Sequence, residues 1–268
     1  MIDDILPPVA VAAESFGPPG EWDLFPAEAA VIATADTVRR REFAAGRAVA
    51  RAALVRLHAP AGPVLPGRAG EPRWPDGVVG SITHCAGYRA CAVGLVRDIA
   101  AIGIDAEPCL PLDGGAPDGG LLMAVAGDAE RAWLAELNAA CLGTPWDRVL
   151  FCAKESVYKA WYPHTGERPG PRDLTVRIGQ AGTFAAPLPR GSAVPPGARH
   201  IGRWLVRRGL IVTAASIPPS WRGKDWPRSS SGRGPKIRRS LWSMGTSLML
   251  ASRRRISPSS SNSHSSLP

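Results

Sequence analysis

The chain has 268 residues, an apolar fraction of 45% and five cysteines with no Cys-x-x-Cys pair. That length suits one large domain or two small ones with an ample core, and the cysteine usage argues against a disulfide framework or zinc site and for a reducing compartment. The net charge is +9, but ten basic residues and one acid follow Ile217, which leaves residues 1–217 balanced at 22 basic and 22 acidic side chains and excludes a polyanion-binding core by bulk charge.

The start, Met-Ile-Asp-Asp-Ile-Leu, lacks the basic and apolar runs of a signal peptide, and no apolar stretch approaches the ~18 residues of a membrane span. The expectation is a cytoplasmic protein with no membrane or nucleic-acid partner. Ala27 to Thr34 reads as a short helix, and little else is legible before residue 36. Val38 to Leu54 is a strong helix by alanine content and periodicity, with Phe43, Val49 or Ala50, and Leu54 facing inward. Arg40, Arg47 and Arg51 then sit on or beside the solvent side. Arg47 and Arg51 are like charges four apart, which costs the helix and hints at an anionic partner; a solvated basic face explains them equally well.

A Pro/Gly-rich loop over 59–74 leads to a strand, Val78 to His84, a turn at Cys85–Tyr88 and a partner strand, Arg89 to Val96. Ala100 to Asp105 is a short buried strand whose end delivers Asp105 and Glu107. Leu121 to Leu142 is helical, with an interruption at Gly127 or Asp128. Leu150 to Trp161 forms a helix bounded by Pro163, with Leu150, Ala153, Val157 and Trp161 as its buried stripe. Arg172 to Ile178 and Thr183 to Leu188 read as strands, and Gly202 to Ala215 as a hairpin turning at Arg208-Gly209. Residues 218–268, rich in Ser, Pro and Arg, read as a disordered tail or as sequence never selected to fold.

Asp105-x-Glu107 on extended backbone puts two carboxylates on one side, and Glu155 adds a third from a helix. Three carboxylates with open positions suit Mg²⁺ sharing its shell with substrate phosphates, for which Lys154, Lys159, His84, Arg47 and Arg51 supply positive charge. An ordinary Glu155–Lys159 helical ion pair is the plainer reading of that segment alone. No Gly-x-x-x-x-Gly-Lys-[Ser/Thr] loop is present, so this is no P-loop enzyme.

Gly103-Ile-Asp-Ala-Glu107 with Phe151-x-x-Lys-Glu-Ser-x-Tyr-Lys159-Ala resembles the 4′-phosphopantetheinyl transferase superfamily. Arg40-Arg-Glu-Phe-Ala-Ala-Gly-Arg47-x-x-Ala-Arg51, Gly70-Glu-Pro-x-Trp-Pro-x-Gly77 and Gly80-Ser-Ile-Thr-His84-Cys look like its branch containing enterobactin-synthetase component D and actinobacterial relatives. The resemblance implies an α+β fold of two similar halves related by a pseudo-twofold, 1–100 and 101–217, with coenzyme A bound between them and the tail 218–268 outside. It implies Mg²⁺ on Asp105, Glu107 and Glu155, with Glu155 also taking the acceptor serine's proton. It places Lys154, Lys159 and His84 on the diphosphate, Arg47 and Arg51 on the nucleotide phosphates, and Arg73 and Ser81 in the coenzyme A site. Relatives often carry a lysine before Gly-Glu-Pro; here it is Ala69, for which Arg68 or Arg73 would substitute.

The implied reaction is holo-carrier-protein synthesis. A monomeric enzyme transfers phosphopantetheine from coenzyme A to an apo acyl- or peptidyl-carrier protein and releases adenosine 3′,5′-bisphosphate, serving siderophore, polyketide or fatty-acid synthesis. The alternatives are a Mg²⁺-dependent phosphohydrolase using the same carboxylates, and a polyanion-binding protein acting through its basic tail.

Overall fold

The cores explain the order of the elements. The computed structural model describes residues 1–18, 20–113, 120–187 and 199–221, so the tail expectation lies almost wholly outside the described residues. The elements run β1 (Ala10–Phe16), α1 (Pro26–Val31), α2 (Thr37–Arg56), β2 (Val78–Cys85), β3 (Tyr88–Leu95), β4 (Ala101–Pro108), α3 (Gly120–Val125) and α4 (Asp128–Ala140). They continue with α5 (Trp146–Thr165), β5 (Arg177–Gly179), β6 (Thr183–Pro187), β7 (Arg199–Arg207) and β8 (Leu210–Ile217). The result is α+β with two antiparallel sheets, ordered β1-β3-β2 and β4-β8-β7-β6-β5. Among the described residues no helix is long and apolar enough to cross a membrane.

Strand alternation divides the apolar side chains between two cores. Cys91 and Val93 of β3 pack under Val49, Ala50, Ala53 and Leu54 of α2. Ala90 and Ala92 point the other way and join Ile102, Ile104 and Ala106 of β4 with Val212 and Ala214 of β8. The opposite face of β4 lies under α5, whose Leu150, Ala153, Val157 and Trp161 are all buried as the periodicity predicts.

The two sheets meet at β2 and β4, and side chains make the join. The β4 edge donates its Ile104 N–H to Ser81 Oγ at 3.1 Å and its Ala106 N–H to Thr83 Oγ1 at 3.0 Å. Two hydroxyls on one face of β2 thus satisfy backbone donors that a neighbouring strand would otherwise take.

Several expectations are corrected. The helix α5 runs past Pro163 to Thr165, because a proline in the last turn removes one ladder bond and Gly166, at φ 75°, then closes the end by donating its N–H to Tyr162 O. The strand expected from Arg172 starts only at Arg177. The strand β1 was not legible, since Ala-Val-Ala-Ala has little intrinsic strand preference and is held by pairing to β3. The β7–β8 hairpin turns where the sequence places it, at Arg208 (φ 53°) and Gly209 (φ 71°), the left-handed pair that a two-residue turn needs.

Gly103 sets the spacing of β4 and α5. A Cβ there would stand 1.9 Å from Ser156 O and 2.5 Å from Ala160 N, both backbone atoms of α5. Gly103→Ala therefore forces the elements apart and is expected to cost about 1–3 kcal/mol, read as a melting point lower by several degrees. Gly62→Ala, which meets nothing within 4 Å, is the matched control and should melt with the parent. Equal melting of all three proteins would show that the close approach does not exist.

Candidate active site

Asp105 and Glu107, two residues apart on β4, both face α5, and Glu155 and Lys159, one turn apart on α5, face them; all three carboxylates are buried. Asp105 Oδ1 accepts from Lys159 Nζ at 2.6 Å and from Thr83 Oγ1 at 3.1 Å. Asp105 Oδ2 is buried and has no hydrogen-bond partner. Glu107 Oε2 accepts from Arg148 Nη1 at 2.9 Å. Arg148 also donates to Leu110 O, Pro111 O and Leu112 O, so one guanidinium fastens the carboxylate and the loop after β4 together.

The electrostatics follow from burying more acid than base. Burial raises the Glu155 pKa, and the Asp105 and Glu107 charges raise it further against the pull of Lys159. Burial and Asp105 likewise raise Glu107, with Arg148 and Lys159 opposing. Burial alone would lower Lys159, but Asp105 and Glu155 outweigh it, so the ammonium stays charged. His84, at the end of β2, is pushed down to about 4 by burial and by the Arg39 and Lys159 cations, and is therefore a neutral imidazole at physiological pH.

The donor set fits a hard divalent cation: oxygen ligands, surplus negative charge and one buried carboxylate oxygen without a partner. Among the described residues no three His, Cys, Asp or Glu side chains stand together as they would have to in order to hold a metal ion. Lys159 instead neutralises Asp105 directly.

Of the residues predicted from sequence, the structure brings together Asp105, Glu107, Glu155, Lys159 and His84. It does not bring Lys154. That side chain is 1% exposed, and its three protons go to Val125 O, Glu130 Oε2 and Pro171 O at 2.7–2.9 Å. Consecutive helical residues point about 100° apart, so Lys154 leaves the face of α5 that carries Glu155. Ser81 Oγ accepts the Ile104 N–H across the seam, which leaves its own proton free. Arg47 is buried rather than solvent-facing, with Nε on Val64 O and its guanidinium over the Phe43 ring. Arg51 donates to Glu28 Oε2 at 3.0 Å and to Asp23 O at 2.6 Å. Arg73 is an exposed loop residue whose described bond is its backbone N–H to Leu65 O.

Sequence reasoning missed Thr83, Arg148, Glu28 and Glu130. Two of them carried a signal for the site: Thr83 shares the strand face of Ser81, and Arg148 lies two helical turns before Glu155. Glu28 and Glu130 sit three residues after Phe25 and Gly127, whose N–H groups they accept at the starts of α1 and α4, so their capping role was readable, but their other partners lie 23–46 residues away in the chain.

Carboxylates with an unsatisfied oxygen, beside a lysine and an uncharged histidine, suit an enzyme that works on phosphate esters. The family description "4′-phosphopantetheinyl transferase N-terminal domain" matches residues 27–94, and "4′-phosphopantetheinyl transferase superfamily" matches residues 101–195. The chain is 48% identical over 224 residues to the 4′-phosphopantetheinyl transferase Svp of Streptomyces mobaraensis, covering 81% of this chain and 89% of that one. It is 45% identical over 207 residues to PptT of Mycobacterium tuberculosis (74% and 87% covered), and 41% identical over 226 to Npt of Nocardia iowensis (80% and 98%). The chain belongs to the 4′-phosphopantetheinyl transferase superfamily and is an enzyme of that class.

Raised carboxyl pKa values make the metal-free protein less stable as pH rises. Below the ordinary carboxylate range folded and unfolded chains are both protonated, and the fold carries its full stability. Above it the unfolded chain ionises first, the folded chain holds the extra protons, and stability falls until Glu107 and Glu155 ionise too. In chelator the melting point should drop from about pH 5 towards neutrality and beyond. Glu155→Gln should flatten the fall, and a parent curve without that slope would contradict the assignment.

Proposed function

We propose that this transferase moves the 4′-phosphopantetheine arm of coenzyme A to a serine hydroxyl of an apo acyl- or peptidyl-carrier protein and releases adenosine 3′,5′-bisphosphate. The observation that carries the reading is the buried, unpartnered Asp105 Oδ2 beside two further carboxylates and Lys159, within a chain of this family. Asp105, Glu107 and Glu155 would hold Mg²⁺, which when bound supplies charge neutralisation on the diphosphate. Glu155, whose burial raises its proton affinity, takes the serine proton directly or through a water. The serine oxygen forms its bond to the β-phosphorus as the bridging P–O bond breaks, and the electron pair leaves with the bisphosphate. Lys159 leaves Asp105 for the diphosphate and meets the charge that grows on it. Neutral His84 donates a hydrogen bond without holding product by charge.

Lys154 has no place in this chemistry. Lys159→Met should lower kcat about 10²- to 10³-fold, the scale for removing one donor to developing charge. Lys154→Met strands the buried Glu130 carboxylate, so its main loss should be in stability, about 3 kcal/mol. If Lys154→Met melts normally and loses kcat, the two lysines have been given each other's roles.

Mass spectrometry of apo-carriers incubated with enzyme, coenzyme A and Mg²⁺ tests the reading. A panel from fatty-acid, polyketide and peptide synthases, siderophore systems included, separates the pathways. The expected result is a carrier heavier by one phosphopantetheine arm, with one bisphosphate released per arm. Coenzyme A cleaved without any carrier would show a phosphohydrolase instead.

A further inference from the structure

We infer that Thr83 is a positioning residue for Asp105: it ties Oδ1 to the framework, so that Oδ2 is the oxygen presented to the cation. The inference rests on the reading that Asp105 holds Mg²⁺. Thr83 is 2% exposed and sits on β2, across the seam from β4. Its hydroxyl has a single proton. Ala106 N–H already donates to Oγ1 at 3.0 Å, so that contact uses a lone pair and leaves the proton free for another acceptor. The acceptor within reach is Asp105 Oδ1, at 3.1 Å. One hydroxyl therefore reads the β4 backbone on one side and sets a β4 carboxylate on the other.

The carboxylate needs this support. Rotation about the terminal bond of an aspartate is soft, and its two oxygens are equivalent until something distinguishes them. Here two groups do so, Thr83 and Lys159, and both choose Oδ1. In the proposed reaction Lys159 departs for the diphosphate, and Thr83 is then the remaining hydroxyl donor on Asp105, beside the weaker donor of the buried Cys152 thiol. Partners that orient a metal-binding carboxylate typically contribute 10- to 100-fold in metal affinity.

Ser81 separates positioning from simple seam repair. Its hydroxyl accepts Ile104 N–H just as Thr83 accepts Ala106 N–H, and no described bond joins it to Asp105. Calorimetric titration of Mg²⁺ into protein saturated with coenzyme A reads the metal directly. Thr83→Val should bind Mg²⁺ about 10-fold or more weakly. Thr83→Ser should restore affinity to within about 3-fold of the parent, and Ser81→Ala should stay in that range even if it melts lower. In transfer assays Thr83→Val should raise the Mg²⁺ requirement while the KM for coenzyme A holds. If Thr83→Val does not fold, Thr83→Cys, a much weaker donor of similar size, is held to the same criterion. Parent-like affinity in the Thr83 variant, or equal weakening by Ser81→Ala, overturns the inference. Failure of the parent to bind Mg²⁺ at all overturns the reading beneath it as well.

Discussion

At Gly103 the backbone of β4 lies against the backbone of α5 with no room for even a methyl group between them. The atoms that an added Cβ would meet belong to Ser156, Lys159 and Ala160, and Glu155 immediately precedes the first of these. Two and four residues beyond Gly103, on the same face of β4, come Asp105 and Glu107. Short side chains can meet only because the two backbones touch. A larger residue at 103 would leave the carboxylates and the lysine in the sequence and take the site apart.

Contact at that range buries charge that does not cancel. Three carboxylates face two cations, Lys159 and Arg148, and the surplus shows in the raised pKa values of Glu107 and Glu155. Two other buried charges among the described residues are closed. Lys154 has three acceptors for three protons, and Glu28 accepts from Phe25 N–H, Val64 N–H and Arg51. A buried ion with every bond satisfied belongs to the framework, where loss of its partner is expensive. Asp105 Oδ2 has no such bond. That difference separates framework from chemistry more reliably than residue type or proximity in the sequence.

The sequence made the local elements legible and the tertiary partners largely not. Helix α2, the β2–β3 and β7–β8 hairpins and the buried stripe of α5 follow from periodicity and turn chemistry over fewer than twenty residues. Spacing paired Asp105 with Glu107 on one strand and Glu155 with Lys159 on one helix, and the two motifs of the resemblance joined the pairs. The resemblance put Lys154, Ser81, Arg47 and Arg51 in the ligand site, and each also has framework partners that local spacing cannot reveal. Those partners lie 17 to 29 residues away in the chain. The edge strand β1 was lost for the same reason, since its pairing with β3 outweighs weak local preference.

On the proposed function, Asp105, Glu107 and Glu155 form one cation site once substrate draws Lys159 away. Anomalous diffraction from crystals grown with Mn²⁺ and coenzyme A locates the cation. One manganese peak is expected, bonded to Asp105 through Oδ2 and to Glu107 and Glu155, with Lys159 moved onto the diphosphate. Manganese bound away from these carboxylates, or Lys159 still paired to Asp105 beside bound coenzyme A, would contradict it.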